Sequence, residues 1–494
     1  MASGEATFVI VGGGIAAVSC VEQLAELCPD EPVLVLTASH LVKTVSNLHK
    51  IGRAMESFDV QETSAESVFH GFPNVSVIPC YCTGVDAEKM EVLTSVGQTF
   101  KYKKLLLAAG GHPKMLTENP LVIGIRDTDS VRDFQSRLKN CRRIALVGNG
   151  GIATELVYEV EKVQVVWVVK HKSVSATFVD SGAAEFFMSN INSRKEESQT
   201  NNVVFTPKKR LKYTHMDIPN ANFSSSKTAP GSALGPDWVE DLTIVGSADK
   251  RQVTIEFESE IDEIFSPSEY IDYKKSRGEN ILAEENWPVY IVLTSGKEYG
   301  CDLIVSATGV VPNSSAFVSE KCLLKFGSDE GILVDDEMET SVPNIYAAGD
   351  ICAANWPLAP HWFQMRLWTQ ARQMGAFAGR CMALHWNSPG SRVELDICFE
   401  IFTHVTKFFG YKVVLLGLFN SQKLGSNYEV LLRVRKGQEY VKVIVSDNQV
   451  QGAMLIGETD LEETMENLIL NQTNIEDIKN DLLDPMVDIE DYFD

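Results

Sequence analysis

The chain has no run approaching the roughly 18 consecutive apolar residues that a membrane-spanning helix needs, so no helical membrane anchor is expected. It is also short of base. Lys and Arg number 44 against 67 Asp and Glu, for a formal net charge of −23. A field of that sign repels phosphate backbones and anionic headgroups, so direct nucleic-acid or membrane partners are not expected. No basic region precedes the first apolar run at Ala6, which argues against a secretory signal or a transit segment. The expected location is cytoplasm and nucleus. The ten cysteines are scattered and include no Cys-x-x-Cys. Cys80 and Cys82 form a Cys-x-Cys without a second ligand pair, so neither a disulfide framework nor a metal site is expected. No solenoid-type repeat is visible.

What is present is apolar material for several cores. Hydrophobic residues make up 44% of 494, a length that suits about three domains. Ala6-Thr-Phe-Val-Ile-Val11 reads as a buried strand. A glycine turn follows, then a helical pattern through Leu27 and a second strand, Pro32 to Leu36. That order is a βαβ unit. It restarts downstream with the strand Arg143–Val147, a second glycine turn, a helix from Thr154 to Glu161 and the strand Val163–Val169. The fold class is therefore α/β, with two Rossmann-like dinucleotide-binding domains. Between about 190 and 286 the composition turns polar, which predicts an insertion of loop and extra strands at Val253–Phe257 and Val289–Leu293. It is either surface decoration or a partner-docking element. After Val393, strand patterns recur at Cys398–Thr403, Lys412–Leu418, Glu429–Arg435, Tyr440–Val445 and Gln451–Leu455. A helical pattern from Asp460 to Leu470 then completes a mostly antiparallel, mixed α+β domain. From Gly457 to Asp494 there are 13 acids and one base, either a solvated end or an interaction tail.

The turns carry the chemistry. In Gly12-x-Gly14-x-x-Ala17 the first glycine permits the tight bend and the second lets backbone approach a pyrophosphate. Ala17 keeps the helix close to its strand. The helix N-terminus offers unpaired N–H groups to the anion. Gly148-x-Gly150-x-x-Ala153 repeats the arrangement. The second strand of such a fold usually ends in an acid that holds the adenosine ribose. Here the first unit ends Leu36-Thr37-Ala38-Ser39, so a hydroxyl of Thr37 or Ser39 is the substitute. The second ends Val169-Lys170-His171-Lys172, where a base would tolerate a 2′-phosphate or simply be an exposed lysine pair.

Further motifs resemble those of the class I pyridine nucleotide-disulfide oxidoreductases. Thr340 to Asp350 is similar to that family's second FAD fingerprint. Leu107-Ala-Ala-Gly-Gly111 and Ser306-Ala-Thr-Gly309 resemble the motifs linking its FAD and NAD domains. Arg366 to Gly375 resembles the helix beside the flavin in nitrite-reductase-like and ferredoxin-reductase-like members. A closer resemblance, to one subfamily, rests on Ser232–Trp238, Leu455–Glu463 and Asp488–Asp494 and covers essentially the whole chain.

The resemblance implies FAD as cofactor and NAD(P)H as co-substrate. It divides the chain into an FAD-binding domain at 1–118 and 311–385, with an NAD(P)H-binding domain at 119–310 between its two parts. A C-terminal nitrite-reductase-like domain follows at 393–471, and an acidic tail at 472–494. It assigns Asp350 to the flavin ribitol, Glu155 to orienting the nicotinamide, and Lys43 to the neighbourhood of a basic residue near the flavin, where an exposed lysine is the alternative. Cys352 is expected to be a buried packing cysteine, and Trp362 and Trp368 are core residues or walls of the flavin site. His404 is expected to be structural. The cysteines that disulfide reductases carry on the helix after the first βα step, or shortly after the second strand, are missing. Ser39 to His49 contains none, so no disulfide reductase activity is expected. The subfamily is linked with protecting a tRNA ligase complex from oxidation, which implies an oxidative-stress role and a protein partner reached through the tail or the insertion.

Overall fold

The computed structural model describes residues 4–191, 244–278 and 286–487. The motif Ser232–Trp238 and the ending Asp488–Asp494 lie outside the described residues.

The first sheet is built on Gly4–Val11, flanked by the parallel strands Val33–Thr37 and Thr99–Leu107. Unbroken β-branched and aliphatic runs suit strands covered on both faces, and Phe8 to Val11 are buried throughout. Val75–Pro79 adds to one side. On the other, Thr99–Leu107 pairs antiparallel with Glu91–Thr94 over its first residues and parallel with Ile345–Ala347 over its last. The first domain is thus closed by chain returning from far downstream. Gly111–Pro113 and Val310–Pro312, the outgoing and returning segments, pair antiparallel.

Helix Ile15–Leu27 packs on helix Trp368–Asn387 at backbone distance. A Cβ on Gly375 would stand 2.2 Å from the Ala16 carbonyl oxygen, and one on Gly379 2.8 Å from that of Cys20. Only glycine at both positions lets the two helices meet so closely.

The second sheet is parallel, in the order Val122–Gly124, Leu303–Ser306, Arg143–Val147, Gln164–Val169, Gln252–Phe257. The strand expected as part of an insertion is its fifth member. The other, Val289–Leu293, is the middle strand of an antiparallel meander between Ile261–Phe265 and Glu298–Cys301. Both strands pair within the second domain's sheets, where the sequence suggested extra strands of an insertion.

The third domain is a five-stranded antiparallel sheet in the order Thr403–Phe408, Tyr411–Gly417, Gln449–Ile456, Glu439–Ser446, Glu429–Arg435, with helix Glu462–Asn471 packed on it. The strand expected at Cys398–Thr403 begins instead at Thr403. Asp396 caps a single tight turn at Ile397–Phe399 through its side chain. Phe399 is held there by the rings of Phe377, Trp362 and Trp356 at 5.3, 5.8 and 5.9 Å. Residues 472–487, the expected start of the acidic tail, are packed: Ile475, Ile478 and Leu482 are buried against this sheet.

Helix Ser181–Ile191 seats the second domain on the third. The Phe187 ring lies 5.0 Å from that of Phe409, and Phe186 5.2 Å from Tyr411. Just before the helix, Asp180 pairs with Lys442, a buried lysine that also donates to Asn420 Oδ1 at 2.8 Å. The Lys442 ammonium holds the Asp180 carboxyl below the usual range against the opposing effect of burial. The two domains share one apolar core.

Candidate functional site

Both glycine turns open into one cleft of about 1120 Å³. Each first glycine is forced by geometry. Gly12 has φ +131° and its Cβ position lies 2.2 Å from the Ala108 carbonyl oxygen. Gly148 has φ +141° and its Cβ position lies 2.1 Å from that of Ala307. A side chain at either place would collide with the neighbouring crossover strand. The second glycines differ. The Cβ positions of Gly14 and Gly150 meet nothing within 4 Å. Both residues are the N-caps of their helices, without a side-chain cap bond. Space, unpaired N–H groups and the positive end of a helix dipole therefore coincide twice in one cleft. Ala17 and Ala153 do not reach it; both are buried where helix meets sheet.

Thr37 lines the cleft. Its hydroxyl donates to the Ser39 carbonyl at 3.1 Å, so it can meet a ribose hydroxyl only as an acceptor. The stretch without cysteine is a strand, Leu41–Lys50, paired antiparallel with Glu56–Ser64. The hairpin lies across the first turn, with Lys43 N donating to the Gly13 carbonyl at 2.8 Å. The Lys43 side chain lines the cleft. Burial and then the Arg126 guanidinium hold its amine below the usual lysine range, while Glu62 and Asp127 act in the opposite direction.

Asp350 arrives at the end of the returning segment, is buried and lines the cleft. Its carboxylate pairs with Arg126, and its carbonyl accepts from Arg366 Nε at 2.9 Å. Arg366 is fixed in turn by Asp329 at 2.5 Å. Nothing in the sequence marks Arg126, which stands just ahead of the Asp127 cap of helix Thr128–Leu138.

Glu155 lines the cleft from the second turn of helix Gly151–Glu159. The third domain supplies part of the wall, including His404 and Phe408, beside Trp368 and Phe178. His404, expected to be merely structural, sits between the Trp368 and Phe178 rings at 4.8 and 6.0 Å. Burial pulls its pKa down to about 3, so it is a neutral imidazole at working pH. Trp362 is instead buried in the aromatic cluster around Phe399. Cys352 is buried behind Asp350, where desolvation pushes its thiol up to about 12. All ten cysteines are free thiols. Cys80 and Cys82 line the cleft, and burial raises both above the ordinary thiol range. Among the described residues no group of three His, Cys, Asp or Glu side chains is placed to hold a metal ion, and no helix is long and apolar enough to cross a membrane.

Comparison with known proteins adds the following. A family model described as pyridine nucleotide-disulphide oxidoreductase matches residues 6–217 and 252–375. A second, described as the rubredoxin NAD+ reductase C-terminal domain, matches 404–473. The Homo sapiens protein named pyridine nucleotide-disulfide oxidoreductase domain-containing protein 1 is 48% identical over 99% of this chain and 98% of its own length. Its Drosophila melanogaster namesake is 43% identical over the full length of both. The solved water-forming NADH oxidase from Lactobacillus brevis, bound to NADH, has a TM-score of 0.64 at 15% identity, covering 98% of this chain and 93% of the other. At that identity the likeness speaks for the fold alone.

Proposed function

The chain belongs to the pyridine nucleotide-disulphide oxidoreductase family, and on that premise we propose that it is an FAD-dependent oxidoreductase that takes hydride from NAD(P)H. One observation carries the reading. Two helix N-termini, each behind a glycine with open space at its Cβ position, face the same cleft. Such a cradle admits a pyrophosphate where any side chain would fill it.

The residues present fit the two dinucleotides. Gly12 to Ala17 would hold the FAD pyrophosphate, Thr37 or Ser39 the adenosine ribose, and Asp350 the ribitol. Gly148 to Ala153 would hold the nicotinamide cofactor. Bound there, FAD supplies a hydride acceptor and NAD(P)H a donor, and the protein's contribution is position and field. Arg126 fixes the Asp350 carboxylate. Lys43 brings an amine to the wall of the cleft, and in its protonated form it would offset negative charge on a reduced flavin bound there, although burial and Arg126 lower its pKa. Glu155 orients the carboxamide end of the nicotinamide. Phe178, Trp368 and Phe408 line the cleft and would exclude water from bound cofactors.

By the resemblance, the segment Leu41–Lys50 stands where disulfide reductases carry their cysteines, and it carries Lys43 and no cysteine. The electrons therefore leave for an acceptor that enters the cleft or docks at its mouth: oxygen, a quinone-like molecule or a bound protein. Anaerobic titration with NADH and NADPH is expected to bleach the flavin absorbance of the purified protein. Colour that persists under an excess of both sinks the oxidoreductase reading.

A second reading is favoured by the missing thiols and the acidic end. In it NAD(P)H binding creates a long-lived reduced complex that captures and shields a partner, a tRNA ligase complex by analogy with the subfamily, in the cytoplasm and nucleus under oxidative stress. Fast steady-state turnover with a small acceptor supports the enzyme, whereas slow reoxidation with stable capture supports the guard. Because Ile475, Ile478 and Leu482 are core residues, a truncation that probes the tail starts after residue 487. It is expected to keep full flavin content, and unchanged partner binding would remove the tail from the second reading.

A further inference from the structure

The outer end of the cleft, beside the second glycine turn, contains an ion pair of inverted polarity. In this fold the second strand ends in a carboxylate that accepts from the adenosine 2′-hydroxyl, or in a cation that meets a 2′-phosphate. Here strand Gln164–Val169 ends in Lys170. The carboxylate comes from the adjacent strand. Parallel pairing of Val169 with Phe257 brings the two strand ends side by side. Glu258, at φ +50°, turns the chain back. The strand ends are bonded to each other by Glu258 N to the His171 carbonyl at 3.2 Å and by Ser259 N to that of Val169 at 3.1 Å. Glu260, anchored by its own N–H to Thr294 Oγ1 at 3.1 Å, then meets Lys170 Nζ at 3.1 Å. Lys170, His171, Ser259 and Glu260 all line the cleft. His171 Nδ1 accepts from Asn149 Nδ2 at 3.1 Å, which leaves the ring proton on Nε2 as a donor. Asn149 belongs to the glycine turn itself, so the corner is hydrogen-bonded to the turn.

The charges at this corner cancel. Lys170 is matched by Glu260 and Lys172 by Glu258 at 4.0 Å, leaving no surplus cation. A ribose diol can donate to the Glu260 carboxylate while Lys170 stays balanced. A 2′-phosphate, close to dianionic, competes with Glu260 for the exposed Lys170 ammonium and settles beside a carboxylate. We propose that the Lys170–Glu260 pair selects the nicotinamide through its adenosine ribose, favouring the 2′,3′-diol of NADH over the 2′-phosphate of NADPH. The proposal rests on the reading of the second turn as the nicotinamide site.

The test uses the full flavin-containing chain and two probes that cannot be oxidised or reduced, adenosine 5′-phosphate and adenosine 2′,5′-bisphosphate, with binding followed by calorimetry at fixed salt. The unchanged protein is expected to bind the monophosphate more tightly. Glu260→Gln, which releases Lys170, is expected to move the preference about tenfold toward the bisphosphate, and the shift should shrink as salt rises. Lys170→Met, which leaves Glu260 unbalanced, is expected to weaken the bisphosphate further and leave the monophosphate within about threefold. The same direction is expected in the rates of anaerobic flavin reduction by NADPH against NADH. If both probes bind and Glu260→Gln leaves their ratio unmoved, or if the unchanged protein prefers the bisphosphate, the proposal is overturned while the nicotinamide site stands. If neither probe binds and neither nicotinamide bleaches the flavin, the site itself is overturned and the proposal falls with it.

Discussion

Gly12→Val is expected to yield protein without flavin, and Gly148→Val protein that stays yellow under excess NADH. The two turns are built alike, and on the proposed reading they serve different dinucleotides, so their lesions are expected to separate. Each glycine sits where an L residue is strained. A β-branched side chain pays most there, because its two branches meet both flanking peptide groups. Each would also drive a carbon to about 2 Å from a carbonyl oxygen, at Ala108 and Ala307 respectively. Neither oxygen can yield. Ala108 N donates to the Val11 carbonyl and Ala307 N to that of Val147, both at 2.8 Å, which ties the crossover segments to the strands that precede the turns. The cost is several kcal/mol, taken from backbone that must hold a pyrophosphate to within about 0.5 Å.

Gly14→Ala and Gly150→Ala provide the control for folding. Open space at their Cβ positions leaves stability within about 1 kcal/mol, while a methyl in the anion's path weakens the matching dinucleotide by about tenfold or more. The flavin-to-protein absorbance ratio, anaerobic bleaching and thermal melts read all four variants. Full flavin in Gly12→Val, or normal bleaching in Gly148→Val, would remove the two-turn assignment.

The second large effect is expected at Glu466. This fully buried carboxylate, on helix Glu462–Asn471, accepts from the backbone N–H groups of Arg53, Ala54 and Met55 at 2.6, 2.8 and 2.8 Å. Those residues form the turn between strands Leu41–Lys50 and Glu56–Ser64. A Cβ on Gly52 would stand 2.0 Å from Glu466 Oε2, so the turn closes on the carboxylate without room for a side chain. Glu466→Leu strands two buried donors, Ala54 N and Met55 N, and the part-buried Arg53 N, and should lower unfolding free energy by about 3–5 kcal/mol. Glu466→Gln keeps one acceptor oxygen, presents an N–H to another N–H, and should fall between the two. The hairpin carries Lys43, so flavin reduction should also slow in both variants. Denaturant unfolding of the leucine variant within about 1 kcal/mol of the parent would show that the latch carries no weight.

Both glycine turns were legible in the sequence because their constraint is local. Strand, bend, phosphate cradle and helix start occupy a dozen consecutive residues, and only glycine meets the bend. Lys43 and Asp350 were reached through motif likeness, and the cleft contains them. What the sequence hid was built from distant pairs. Arg126 gains meaning only beside Asp350, and His404 only between Phe178 and Trp368. Glu260 matters because strand Gln252–Phe257 ends next to Lys170. That strand alternates polar with apolar residues, as an edge strand does, and in a polar stretch it resembled loop decoration. Composition misled again near the end. The acids of residues 472–487 masked Ile475, Ile478 and Leu482, which a series of turns carries against the third sheet.

Helix Ser181–Ile191 belongs to the second domain by connectivity and to the third by contact, and this sets how the molecule comes apart. Two nucleotide folds and a cap suggest three melting units, yet the last two hold each other's interior. Heat is expected to melt them as one cooperative block, and a protease that cuts at Gly111–Pro113 and Val310–Pro312 is expected to release no stable second-domain fragment, because such a piece would leave Phe187 and Lys442 without their partners. The second glycine turn thus sits in a domain whose core is shared with its neighbour rather than in one joined to it by a linker alone.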